Sequence, residues 1–164
     1  MTTHTIADPS GKRITYTEYI VKAGEKTLHQ IARDHLYDEN RFKEIKEWKN
    51  NTSNEVTKEL TQGQVLLIPP VSADISTFKL TALEGSNVRS GHGLNFTVFY
   101  TAPINTEFHY SKKSLTKDAN ERLWVEVRSF KDKSNVLHSV GWICVKEGNA
   151  HYTAPFIDMG KPTG

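Results

Sequence analysis

Cys144 is the only thiol in a 164-residue chain that also carries seven histidines. A thiolate beside an imidazole could act as a nucleophile, and a glycoside hydrolase would need two carboxylates facing each other across a cleft. Neither arrangement is signalled. Cys144 follows Trp142-Ile143 in a strand-type run, the usual setting of a small buried hydrophobe. The 19 acidic side chains lie mostly in charged helix faces or turns, with no pair singled out. His35, with Asp34 and Asp38 beside it, offers a two-ligand spacing, but a metal site needs three or four ligands and nothing nearby completes this one. The chain is therefore read as non-catalytic, with no metal and no cofactor, and its chemistry is expected to be recognition.

Composition narrows what could be recognised. Twenty-one basic residues against 19 acidic ones leave a net charge of +2, the wrong balance for a protein that lives on nucleic acid or anionic lipid. A single cysteine excludes an internal disulfide framework. The apolar stretch 64–75, interrupted by two prolines and Asp74, falls short of the roughly 20 residues of a spanning helix, so no membrane insertion is expected. The amino terminus, MTTHTIADPSGKR, has no charged head followed by an apolar run. Synthesis in the cytoplasm without a signal peptide is the expectation.

The elements that must position any site fall on either side of Pro69-Pro70. Tyr19-Ile20-Val21-Lys22 is a short β-type run ending in the turn Ala23-Gly24-Glu25-Lys26. Thr27 can cap a helix whose apolar stripe is Leu28, Ile31, Ala32 and His35 or Leu36. A second helix is predicted over about 41–49, with Phe42, Ile45 and Trp48 or Lys49 on one side. There Trp48 is either a half-buried anchor or a partner contact. The run Gln64-Val65-Leu66-Leu67-Ile68 closes the half as a strand, which the prolines stop. Beyond them, short hydrophobic runs alternate with turn residues through 78–145, the pattern of a small β-barrel or sandwich. Alternation along Gly141-Trp142-Ile143-Cys144-Val145 puts Trp142 and Cys144 on one face and Ile143 on the other; the pair is expected to point inward, unless Ile143 does so instead.

Two resemblances give these elements a function. Tyr19 to Glu25, Thr27 to Ala32, and the closing Leu60-Thr61-Gln62-Gly63-Gln64-Val65-Leu66-Leu67-Ile68-Pro69 resemble a LysM domain, a βααβ module that binds N-acetylglucosamine-containing glycans. The resemblance implies a sugar groove between 24–28 and 60–64, with Gly24, Glu25, Thr27, Leu28, Thr61 and Gln62 as contacts. Thr27 could equally serve as the helix cap, and Leu28 as a core residue. Leu83 to Gly93, with Trp124-Val125-Glu126-Val127 and Gly141-Trp142-Ile143-Cys144-Val145, resemble a bacterial SH3-like domain, related members of which bind peptides. That resemblance implies core positions for Trp124 and Trp142 and offers Tyr100, Phe108 and Tyr110 as groove aromatics.

The expected fold class is α+β, a small βααβ domain followed by an all-β SH3-like barrel. Its divisions are a flexible tail over 1–14, a LysM-like domain over 15–70, a linker over 71–77, an SH3-like domain over 78–160 and a tail over 161–164. The expected function is non-catalytic binding of peptidoglycan, glycan through the first half and peptide through the second, with action at the cell envelope. Asp38 to Ile45 also resembles a segment of LysM domains in phage tails and contractile injection machines. The alternative is therefore a structural component of such a baseplate, whose partners are proteins of a larger assembly.

Overall fold

A computed structural model describes residues 1–159; residue 160 and the expected tail at 161–164 lie outside the described residues. The chain forms two compact units, Met1–Ser72 and Ala73–Gly164. Strand makes up 47% of it and helix 9%, in two curled antiparallel sheets. This overturns the α+β expectation: the protein is mostly β, and no βααβ domain is present among the described residues.

The first unit runs β1 (Thr3–Ala7), β2 (Arg13–Ile20), α1 (Leu28–Leu36), a 3-10 helix (Glu39–Glu44), β3 (Lys46–Lys49), β4 (Thr52–Asn54) and β5 (Val65–Ile68). The sheet order is β1-β2-β5-β3-β4. One predicted helix forms. Thr27 Oγ1 accepts the amide of Gln30 at 3.2 Å, and Ile31, Ala32 and Leu36 are fully buried with Val21, Ile45, Leu60, Leu66 and Ile68. Each such aliphatic side chain stabilises by roughly 1.5–3 kcal/mol.

The second predicted helix is replaced by a single 3-10 segment and a β-hairpin. The spacing of Phe42, Ile45 and Trp48 is three residues, which suits a 3-10 turn as well as an α-helix. Asn50 and Asn51 both hold positive φ, 55° and 57°, and Lys49 pairs with Thr52 across them. That is a two-residue type I′ hairpin turn, for which asparagine is favoured.

Residues 1–14 hold structure as well. Thr3–Ala7 pairs in register with β2, and Asp8 Oδ1 accepts the amides of Ser10 and Lys12 to close the turn. The His4 ring on β1 stacks on Trp48 of β3 at 3.9 Å, although β2 and β5 lie between them in the sheet. The sheet therefore curls, and Trp48 is an anchor within this unit, half-buried on a strand.

The second unit runs β6 (Ile75–Leu80), β7 (Ser86–Arg89), β8 (Val98–Ala102), β9 (Glu107–Lys117), β10 (Arg122–Lys131), β11 (Leu137–Glu147), β12 (Ala150–His151) and β13 (Thr153–Ala154). Its eight-stranded sheet follows β13-β6-β9-β10-β11-β7-β8, with β12 pairing to β11. The core contains Phe78, Leu80, Val88, Val125, Val127, Phe130, Ile143 and Val145. On β11 the inward face is Gly141, Ile143 and Val145, so Trp142 and Cys144 point the other way, against expectation. Gly141 explains the choice. A Cβ there would lie 2.6 Å from Phe130 and 2.8 Å from Val88, so the inward face at this point has room only for glycine, flanked by aliphatics.

Candidate functional site

The two loops of the suggested sugar groove are neighbours. Leu60 N donates to Lys26 O at 3.1 Å, and Gly63 N to Val21 O at 2.9 Å. Most of the named residues have structural duties there. Gly24 sits at φ +87° in the turn. Glu25 accepts the Tyr19 hydroxyl at 2.7 and 2.9 Å and the Lys22 amide at 2.7 Å, so its carboxylate staples the loop. Burial first, and then that bond to Glu25, push the Tyr19 phenol well up. Thr27 is the helix cap, and Leu28 packs against the core. Thr61 and Gln62 are exposed. Thr61 also lines a polar cavity of about 310 Å³ with Glu47, Lys49, Lys58, Glu59 and Gln64. His35 packs against Tyr19 at 4.3 Å, and no three His, Cys, Asp or Glu side chains gather as a metal site among the described residues.

Of the suggested peptide aromatics, Phe108 and Tyr110 are core residues, exposed by only 2% and 8%. Both sit on β9 and pack around Phe78, Phe108 tilted at 5.7 Å and Tyr110 edge-on at 5.3 Å. Tyr100 is half-buried beside Phe130 and lines, with Phe108 and Arg128, a cavity of about 250 Å³.

A larger cavity, of about 570 Å³, lies on the face of β7, β10 and β11 away from the core. That volume is in the range of small-ligand sites. Its wall is built by the alternation that turns Ile143 inward. Trp142 pairs with Arg89 and Trp124 with Cys144, so Arg89, Cys144 and Trp124 share the outer face. A bulge between Leu123 and Trp124 buries the indole on this side while Leu123 and Val125 fill the core. Trp124 Nε1 donates to Asp118 Oδ2 at 2.9 Å, and Asp118 Oδ1 accepts the amides of Asn120 and Arg122. Partial burial works against the Asp118 charge, but these three donors outweigh it and hold the carboxyl below its usual range. The turn is thus fixed, and the indole with it.

The rest of the wall mixes characters as a ligand site requires. Leu83 and Leu94 are apolar and exposed, by 88% and 55%. Arg122 is held by Glu147 at 2.7 Å and reaches Asp118 at 3.8 Å. Tyr152 adds a phenol, and Asn87 an amide. His151 keeps a buried Nδ1 with no hydrogen-bond partner among the described residues. Nothing here is arranged as a nucleophile. Burial pushes the Cys144 thiol up to about 11, and the Lys146 carbonyl is its hydrogen-bond acceptor.

A prediction follows from that thiol. Because its raised pKa keeps the reactive thiolate scarce, iodoacetamide should modify Cys144 slowly at pH 7.5. The rate should climb about tenfold per pH unit towards pH 11. A rate as fast at pH 7.5 as that of a free thiol would contradict this burial.

Sequence reasoning quoted several of these residues in the Leu83–Gly93 and Trp124–Val127 motifs but gave them no site role. It missed the cavity because it turned Trp142 and Cys144 inward. The signal available was Gly141, Ile143 and Val145 at two-residue spacing. No protein-family model, curated protein or solved structure matches the chain.

Proposed function

We propose that the protein is a non-catalytic binding module for the bacterial cell wall, holding peptide in the cavity of its second unit and touching glycan with the exposed loop residues of its first. The cavity carries this reading. It offers an apolar rim at Leu83 and Leu94, the paired charges of Arg122 and Glu147, the Tyr152 phenol and the Asn87 amide, on a wall braced by the buried Trp124 and with no activated nucleophile. A wall peptide presents apolar side chains, amides, amines and carboxylates to match. Thr61 and Gln62, exposed and without capping or packing duties, support the glycan part. Two weak grips on one polymer reinforce each other through effective concentration.

Purified protein should be retained on peptidoglycan sacculi, and chito-oligosaccharides should compete partially. Leu94→Ala with Tyr152→Ala should weaken retention about tenfold or more, the scale of losing two ligand contacts. Thr61→Ala with Gln62→Ala should weaken it less and leave the melting temperature nearly unchanged, since exposed substitutions alter stability by under about 0.5 kcal/mol. Absence of retention for the unaltered protein would end this reading.

A second reading, a structural component of a phage tail or contractile injection baseplate, draws on a different observation. Leu94, Phe96 and Val98 are exposed in near succession, by 55%, 47% and 42%. Such a patch suits a protein partner, and this reading predicts no retention on sacculi.

A further inference from the structure

The charges around the larger cavity are not all paired, and the two left over are informative. Arg122 is engaged by Glu147 and Asp118. Arg89 is not paired with any carboxylate among the described residues. Its Nη1 donates to the carbonyls of Leu94 and Phe96, at 3.1 and 3.2 Å, which holds the loop at the cavity rim. Its Nε and Nη2 donors make no hydrogen bond among the described residues. The side chain is half-buried, which strengthens its attraction for an anion relative to a fully solvated cation. Two carbonyls fix the guanidinium without neutralising it. A planar fork held this way is suited to receive a carboxylate. Across the same wall Glu84 is exposed and makes no ion pair among the described residues.

We infer that Arg89 receives a free carboxylate of the ligand, with Glu84 placed to meet a ligand amine, so that the cavity selects zwitterionic peptides over neutral or fully amidated ones. The inference rests on the cavity being the peptide site proposed above. The balance of the lining, Arg89 and Arg122 against Glu84 and Glu147, disfavours a polyanion such as a phosphate polymer, because two carboxylates would face it. The ligand's apolar side chains then lie between Leu83 and Leu94, over the wall that the buried Trp124 supports.

The test uses the whole protein bound to sacculi and a soluble muropeptide digest as competitor. One portion of digest is left untreated, and another has its carboxyl groups converted to methylamides. The untreated digest should displace the protein, while the amidated digest should need about ten times the concentration or more, the loss of one charge-assisted contact. Arg89→Gln should remove this preference and Arg89→Lys should keep part of it, with circular dichroism checking that both fold. Should Arg89→Gln fail to fold, the two digests on the unaltered protein still decide. Equal displacement by both overturns the carboxylate role and leaves wall binding standing. No retention on sacculi at all overturns both.

Discussion

Trp124→Ala is expected to cost about 3–5 kcal/mol, the usual penalty for deleting a buried large aromatic. The indole is 1% exposed and its Nε1 donates to Asp118, so the substitution leaves both a void and a carboxylate short of one donor. In a unit of this size each kcal/mol moves the melting temperature by roughly 4–8 °C. The second unit should therefore melt roughly 12–40 °C earlier, while the signals of the first unit persist. Trp142→Ala is the control. Trp142 is half-buried on the outer face and meets His92 edge-on at 5.0 Å, so its loss should cost well under half as much. Equal costs for the two tryptophans, measured by differential scanning calorimetry, would contradict the orientation of β11.

The second large effect is at Gly85, which closes the turn before β7 with its amide on the Ala82 carbonyl. Its φ is +78°, a conformation that side chains rarely adopt, and a Cβ would press into the carbonyl oxygen of Ala102. A backbone oxygen paired in the sheet cannot swing aside as a flexible side chain could. Gly85→Ala thus combines strain of about 1–3 kcal/mol with an overpacking cost of similar size. Because Gly85 lines the larger cavity, the variant should also lose retention on sacculi. By contrast, Gly24→Ala meets open space and should cost only the left-handed strain. A fully stable Gly85→Ala would show that the turn is not built as described.

The sequence was legible where a single physical cause dominated. Thr27 followed by Leu28, Ile31, Ala32 and Leu36 specifies a capped amphipathic helix, and that helix forms. The prolines at 69 and 70 end β5 because they remove donors. It misled where two causes fit one pattern. Phe42, Ile45 and Trp48 satisfy helical spacing, but Asn50-Asn51 supplies a hairpin turn and Trp48 gains a stacking partner in His4, so tertiary pairing overrides the helix. The strand at Thr3–Ala7 was overlooked as a tail, although Asp8-Pro9-Ser10-Gly11 is a turn sequence between alternating residues. For the site, Thr61 and Gln62, named because they have no structural excuse, are exposed, as the proposed glycan contact requires. Phe108 and Tyr110 were named for their aromaticity and prove to be core. Arg89 and Arg122 escaped notice because their value depends on which carboxylates lie beside them, and spacing along the chain does not reveal that.

The most direct measurement is a titration of isotopically labelled protein with soluble muropeptides, followed by amide chemical shifts. The predicted result is a saturable set of shifts gathered at Asn87, Arg89, Leu94, Arg122, Cys144 and Tyr152, with smaller changes at Thr61 and Gln62. An unchanged spectrum at saturating muropeptide, or shifts confined to residues away from that cavity, would contradict the assignment of this face as the wall-binding site.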